Sequence, residues 1–155
     1  MLTKEQFESR LQRAKNICSR SEKCSFDIKQ YLSKFEISEL EIDKIINILI
    51  KEKYIDDSRY TQFYVNDKLK FNKWGKIKIR YSLNQKGIST AIINQSLNKI
   101  DEHLYLETLK NIILHKNKGL NKRNNIHAKA ALVRFASSRG FEYDLIMKIV
   151  NELYK

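Results

Sequence analysis

The eight residues SLNQKGIS, at positions 82–89, decide the fold that the sequence predicts. They are typical of the end of one amphipathic helix, a glycine that stops it, an apolar residue, and a serine that caps the next helix. Similar octets are YLSKFEIS at 31–38 and FASSRGFE at 135–142, so the pattern returns after 51 and then 53 residues. A repeat with this period is typical of stacked helical modules.

Helical periodicity surrounds the octets on both sides. Apolar residues recur every three or four positions in 7–18, 40–49, 88–100 and 145–153, which places them on one face of a helix. The chain has no proline and only four glycines, and no run alternates between apolar and polar residues as a half-buried strand does. The sequence therefore predicts an all-α fold.

Three helices per repeat account for the length of each unit, and we predict units at 3–54, 55–100 and 101–155. Units of this size cannot bury an apolar face alone, so we expect them to stack into an elongated array that can curve. Thr3 with Gln6, and Ser38 with Glu41, fit the capping box that starts a helix. Glu36 stands where the other two octets have glycine, so the first turn must close differently or under strain.

The charge of the chain is strongly positive, with 30 Lys and Arg against 18 Asp and Glu and a formal net charge of +12. Such an excess favours a polyanionic partner, which can be nucleic acid, an anionic membrane or an acidic protein face. The alternative is a basic, solvated surface in a protein from an AT-rich genome, where lysine is frequent for compositional reasons.

The excess charge is concentrated in two tracts, 68–100 and 108–141, that contain no Asp or Glu. The first unit is nearly balanced, with 11 basic and 9 acidic residues up to Tyr54. We expect the lysines of the tracts to lack intramolecular partners and to contact phosphates. Trp74, the only tryptophan, lies among the cations of the first tract, and it either packs at a helix junction or stacks on an unpaired base.

The sequence does not support a catalytic site, a metal site or a cofactor. Asp56 and Asp57 are typical of a turn and the N-cap of a helix starting near Ser58. The three histidines are spaced 12 residues apart and cannot share a local metal site, although dispersed residues can converge in a fold. Neither a secretion signal nor a membrane-spanning run is present, so we expect a cytoplasmic protein. In that reducing compartment Cys18 is predicted to be a buried helix residue and Cys24 a turn residue.

The middle of the chain resembles a known family. The segment YIDDSRY, at 54–60, is similar to the signature of the RecX family of recombinase regulators. Gly75 and the residues between Lys78 and Ile88 resemble the stretch that follows in that family. The third unit resembles its ending from Lys129 to Ile146, and the first unit is similar to a lesser degree, through 20–32.

The resemblance implies a tandem array of three-helix modules that binds the RecA recombinase on single-stranded DNA. Members of the family are expected to lie in the groove of that filament and to lower strand exchange, ATP hydrolysis and repressor cleavage, with no catalytic residues of their own. We expect a monomer that contacts the RecA filament and single-stranded DNA, directly or within the filament, and no membrane. A nonspecific DNA- or RNA-binding protein without a RecA role is the alternative, and an enzyme acting on nucleic acid is a weaker third.

The candidate contacts to nucleic acid or filament come from the basic tracts. They are Lys73, Lys76, Lys78, Arg80, Lys86, Lys122, Arg123, Lys129, Arg134 and Arg139. Tyr60, Ile79, Leu83 and Ile88 are predicted to lie in the core instead.

Overall fold

The computed structural model describes residues 1–120 and 124–155, which form nine α-helices and no strand. The prediction of an all-α fold is confirmed. The helices, in chain order, are α1 Lys4–Arg20, α2 Ser25–Leu32, α3 Glu39–Lys51, α4 Asp57–Asp67, α5 Lys76–Gln85, α6 Thr90–Asn98, α7 Glu102–Lys118, α8 Asn125–Ser138 and α9 Tyr143–Leu153.

The two predicted capping boxes, at Thr3 and at Ser38, differ from each other in the structure. The Gln6 amide donates to Thr3 Oγ1 over 3.2 Å and the Thr3 amide donates to Gln6 Oε1 over 2.9 Å, so this capping box is confirmed. At Ser38 the Glu41 amide donates to the serine hydroxyl, but the Glu41 carboxylate accepts from the Leu2 amide over 3.0 Å. The reciprocal box expected there is wrong, because the carboxylate accepts from the Leu2 amide and the Ser38 hydroxyl and not from the Ser38 amide. That hydrogen bond from Leu2 is the main reason that the pKa of Glu41 is lowered.

The predicted helix stops are confirmed at the two glycines. Gly87 has φ +74° and Gly140 has φ +91°, a backbone region that glycine enters without steric cost. The first turn closes without a left-handed residue, because the Ile37 amide donates to the Phe35 carbonyl over 2.9 Å. Glu36 therefore fits where glycine stands in the other repeats.

Helix α4 continues into a π-helical segment, Lys68–Asn72, which the sequence pattern does not predict. Lys73 ends it in the left-handed conformation, with φ 57° and ψ 43°. The Trp74 amide then donates to the Lys68 carbonyl over 3.1 Å. This ending turns the chain sharply and places the indole of Trp74 beside Lys68.

Buried apolar residues form two clusters. One joins α1, α2 and α3 with Ile55, and the other extends over α4 to α9. Tyr60, Ile79, Leu83 and Ile88 are at most 5 % exposed within the second cluster, as predicted. Since α4 to α9 share one cluster, the second and third proposed units have a common core, and the division at 54/55 and 100/101 stays a prediction.

The two cysteines lie differently from the expectation. Cys24 is the N-cap of α2, has no exposed surface and packs in the second cluster, whereas Cys18 is only half-buried. The Cys24 amide donates to Asp27 over 3.2 Å, which holds the residue against its own helix. Cys24 thus lies between helices, as predicted, but it is also a buried link between the first three helices and the rest.

The exposed surface of the chain is large for its mass. It amounts to 10070 Å² for 18.4 kDa, whereas a compact globular protein of that mass exposes about 8,200 Å². The excess supports the expected elongated array. Within it, α3 packs on α1 and α2, α6 packs on α4 and α5, and α7, α8 and α9 pack on one another.

Candidate nucleic-acid interface

Helix α5 begins in backbone contact with the end of α8. The Gly75 amide donates to the Arg139 carbonyl over 2.7 Å, and the Ile77 amide donates to the Gly140 carbonyl over 3.0 Å. The first amides of a helix and the last carbonyls of another are the groups that lack partners within their own helices. Here each set satisfies the other, and the two helix dipoles meet at ends of opposite sign.

The contact requires glycine on both sides. A Cβ added at Gly75 would lie 2.5 Å from the carbonyl carbon of Gly140 and 2.5 Å from the Phe141 amide nitrogen. A Cβ added at Gly140 would lie 2.6 Å from the Lys78 amide nitrogen. Real Cβ atoms do not approach backbone this closely, so the two glycines set the position of α5 against α8.

Tyr105 of α7 is hydrogen-bonded to both sides of this junction. The Lys76 amide donates to the Tyr105 hydroxyl over 2.9 Å, and that hydroxyl donates to the Glu142 carboxylate. Tyr105 has no exposed surface, and its pKa is raised by burial and by the hydrogen bond to Glu142. The phenol therefore stays a neutral donor, and it connects the start of α5 to α7 and α9.

Four cations and two aromatic rings surround the junction, and we call them the junction cluster. The ammonium groups of Lys68 and Lys78 lie 5.0 and 4.7 Å from the centre of the Trp74 ring. The Lys116 ammonium and the Arg139 guanidinium lie 5.4 and 5.2 Å from the centre of the Phe135 ring. The cluster is thus Lys68, Lys78, Lys116 and Arg139 with Trp74 and Phe135.

The cations of the junction cluster are not neutralised by carboxylates. Within residues 1–120 and 124–155, none of the four forms an ion pair. Lys78 donates instead to the Ser138 carbonyl over 3.4 Å, and Arg139 donates to the Asn72 carbonyl over 3.2 Å. Cations that lie over ring faces with no carboxylate beside them can bind phosphates. Trp74 is half-buried and packs against the second cluster, and its exposed part can contact an unpaired base.

Two of the sequence-predicted site residues, Lys78 and Arg139, lie in the junction cluster. Two others do form ion pairs: Lys76 with Glu102, and Lys86 with Asp27, each over 2.7 Å. The expectation that the tract lysines lack intramolecular partners is therefore wrong for Lys76 and Lys86. The physical reason is that the fold brings acids from outside the tracts to them.

The pair of Lys86 and Asp27 joins the first three helices to α5. Burial alone would lower the pKa of the Lys86 ammonium, but the hydrogen bond and charge of Asp27 raise it. Burial alone would raise the pKa of Asp27, but hydrogen bonds from Lys86 and from the Cys24 amide lower it. Both groups are therefore charged near neutral pH, and Lys86 acts as a structural contact between units.

The remaining sequence-predicted residues lie outside the junction cluster. The Arg80 guanidinium donates to Asn94 Oδ1 over 2.5 Å, Lys73 is exposed at the end of the π-helical segment, Lys129 is half-buried and Arg134 is exposed. Lys122 and Arg123 lie outside the described residues. Lys76 and Lys78, which are two positions apart, project about 200° apart around α5, so they do not act as one patch.

Sequence reasoning missed Lys68 and Lys116 as site residues. Both belong to the acid-free tracts, so the signal was present, but nothing local distinguished them from the other lysines. The π-helical segment brings Trp74 beside Lys68 and so places Lys68 in the junction cluster. The packing of α7 on α8 places Lys116 beside Phe135.

The described part of the chain contains no group of three or more His, Cys, Asp or Glu side chains that could hold a metal ion. None of its helices combines the length and apolar character needed to cross a bilayer.

Comparison with known proteins assigns the chain to a family. The family model described as RecX, second three-helix domain, matches residues 56–97. The regulatory protein RecX of Clostridium acetobutylicum is 30% identical over 146 residues, which cover 92% of this chain and 67% of that protein. The chain belongs to the RecX family. The regulatory protein RecX of Clostridium tetani is 35% identical over 114 residues, covering 72% of this chain and 52% of that protein.

Solved RecX structures have the same fold. The crystal structure of RecX from Lactobacillus salivarius superposes with a TM-score of 0.81 at 24% identity, covering 96% of both chains. A second crystal structure, of a regulatory protein RecX, gives a TM-score of 0.81 at 19% identity, with 98% of this chain and 80% of that chain covered. The chain spans about half to two thirds of the length of the curated RecX relatives that it matches first.

Proposed function

We propose that this protein regulates a RecA recombinase by binding its filament on single-stranded DNA, and that it lowers the recombinase, ATPase and co-protease activities. Its relatives carry the name regulatory protein. The observation that carries the proposal is the junction cluster, where four cations without carboxylate partners surround Trp74 and Phe135. The protein acts by binding, in the cytoplasm and as a monomer, and catalyses no reaction of its own.

The elongated array suits a filament. Successive helical units can touch several protomers and the DNA between them, and each contact after the first is intramolecular. The pairing of α5 with α8 keeps the junction cluster in one arrangement before binding, which reduces the entropy lost on association.

The experiment adds the protein to a preformed RecA filament on single-stranded DNA and follows ATP hydrolysis. We expect hydrolysis to fall as protein is added and to fall less with a Lys78→Gln, Arg139→Gln double variant. Lys44→Gln, an exposed lysine of α3, is the matched control and should inhibit like the unaltered protein. Unchanged hydrolysis at saturating protein would refute the proposed regulation.

A second candidate function is binding of bare single-stranded nucleic acid without a RecA role. Cations beside the half-buried Trp74 favour it, because stacking and phosphate contacts need no recombinase. Equal affinity for bare and RecA-coated strands, with the same steep salt dependence for both, would favour this candidate. Tighter binding to the coated strand favours the first.

A further inference from the structure

Helix α5 exposes two apolar side chains on its outer face. Ile77 is 54% exposed and Tyr81 is 66% exposed. They are four residues apart, so they lie one above the other on the helix surface. Ile79 and Leu83 have no exposed surface and occupy the opposite side, which means that the outer pair adds nothing to the core.

Cations flank this pair along the same helix. Lys78 follows Ile77 on one side, and Arg80 lies on the other side, where it donates to Asn94 of α6. No Asp or Glu occurs between residues 68 and 100. We call Ile77, Tyr81 and Arg80 the α5 ridge.

We propose that the α5 ridge docks into an apolar depression rimmed by acidic side chains on the protein component of the filament, while the junction cluster contacts the DNA. This inference rests on the proposed function. Lys78 and Arg80, which flank the ridge, form no ion pair within residues 1–120 and 124–155, and this favours an acidic partner surface. The choice of protein over nucleic acid comes from Ile77, since an aliphatic side chain offers no ring face for a base but fills a protein pocket well.

The start of the helix that carries the ridge is fixed before docking. That helix starts at the Gly75 and Ile77 hydrogen bonds to the end of α8, so the backbone of Ile77 is fixed to that helix end. Tyr and Arg are the residue types that most often dominate protein interfaces, and both occur here beside an exposed aliphatic group. A fixed apolar anchor with a neighbouring cation loses little freedom on binding.

The test compares two ligands with the same set of variants. Ile77→Ser, Tyr81→Ser and Tyr81→Phe are titrated against a RecA filament on single-stranded DNA and against the same bare strand, with melting temperature as a check of folding. We expect the two serine variants to bind the filament at least tenfold more weakly and the bare strand within twofold of the unaltered protein. Tyr81→Phe, which keeps the ring, should bind the filament almost normally.

The matched control is Leu40→Ser, which removes an exposed aliphatic side chain from α3, 67% exposed against 54% for Ile77. It should leave both affinities unchanged. Equal weakening of both ligands by the Ile77 and Tyr81 variants would make the ridge a nucleic-acid contact and overturn the inference. Unaltered filament binding by those variants would also overturn it while leaving the proposed function intact. Failure of the unaltered protein to prefer the filament would refute the proposed function, and the inference with it.

Discussion

A methyl group added at Gly75 would lie 2.5 Å from the carbonyl carbon of Gly140, two positions that are 65 residues apart in the chain. The glycine that precedes α5 and the glycine that follows α8 are therefore one structural feature. Their contact joins the second predicted unit to the third through backbone atoms. It also brings the cations of the junction cluster to one place.

Replacement of Gly75 by alanine should destabilise the protein by about 2–4 kcal/mol. Overpacking costs about 1–3 kcal/mol, and loss of the Gly75 and Ile77 hydrogen bonds to α8 adds about 1 kcal/mol. Urea denaturation at neutral pH measures the change. Because the junction opens, the affinity for single-stranded DNA should fall as well.

Two further glycines provide the controls for that prediction. Gly87→Ala meets no atom within 4 Å, so its cost of about 1 kcal/mol should come from the left-handed backbone alone. Gly119→Ala has neither a close contact nor a positive φ and should change stability by less than about 0.5 kcal/mol. If Gly75→Ala were no more costly than Gly87→Ala, the backbone contact with α8 would not matter to stability.

The helices could be predicted from the sequence because their signals are local. Caps such as Thr3 and Asp56, and the stops at Gly87 and Gly140, act within a few residues of where they stand, and the structure contains each of them. The π-helical segment could not be predicted, because its i to i+5 hydrogen bonds leave no periodic pattern over five residues. The segment ends at Lys73 in the left-handed conformation, and a lysine there gives no sequence signal of the turn as a glycine would.

The basic character of the candidate site could be predicted from the sequence, but only some of its residues could. The two acid-free tracts indicate a basic surface, and Lys78 and Arg139 lie on it. Charge along the chain does not reveal which acids arrive from elsewhere. Glu102 reaches Lys76 and Asp27 reaches Lys86 only after the helices pack, so two of the predicted contact residues have carboxylate partners in the fold.

Asp27→Asn should lower stability near neutral pH by about 1 kcal/mol, by weakening a charged hydrogen bond to Lys86. The pKa of Asp27 is lowered in the folded protein from an ordinary value of 3.8. Its charge therefore stabilises the fold above pH 3.8, and this contribution is lost as the pH falls through the lower folded pKa. Urea denaturation of both proteins should show a constant difference from pH 5 to 8 that shrinks in more acidic solution.

The control for this pair is Asp43→Asn, which removes an exposed carboxylate of α3 that forms no ion pair within the described residues. Its stability should follow that of the unaltered protein at every pH. A difference between Asp27→Asn and the unaltered protein that persists unchanged at pH 2 would mean that the charge of Asp27 is not its source.

Trp74 should report binding by its fluorescence. It is the only tryptophan, it is half-buried, and the ammonium groups of Lys68 and Lys78 lie beside its ring. A (dT)15 oligonucleotide that draws those lysines to its phosphates and places a base near the indole should quench the emission. Quenching should saturate at the same concentration as the anisotropy of a labelled oligonucleotide. An oligonucleotide that binds by anisotropy without any change in emission would place the contact elsewhere.

The salt dependence of binding should separate the cations of the junction cluster from those that are ion-paired. Each phosphate contact to a single strand contributes about −0.7 to the slope of log K against log salt, so four cations predict a slope of about −3. Lys68→Gln, Lys78→Gln or Lys116→Gln should each make the slope shallower by about 0.7 and weaken binding about fivefold at 0.1 M salt. Lys76→Gln and Lys86→Gln should change the slope little, because Glu102 and Asp27 already neutralise those lysines. Fluorescence anisotropy of labelled (dT)15 between 50 and 300 mM salt measures the affinity and its salt dependence for both groups of variants.

Equal slopes for all five variants would mean that binding depends on net charge alone and not on the arrangement of cations around Trp74 and Phe135.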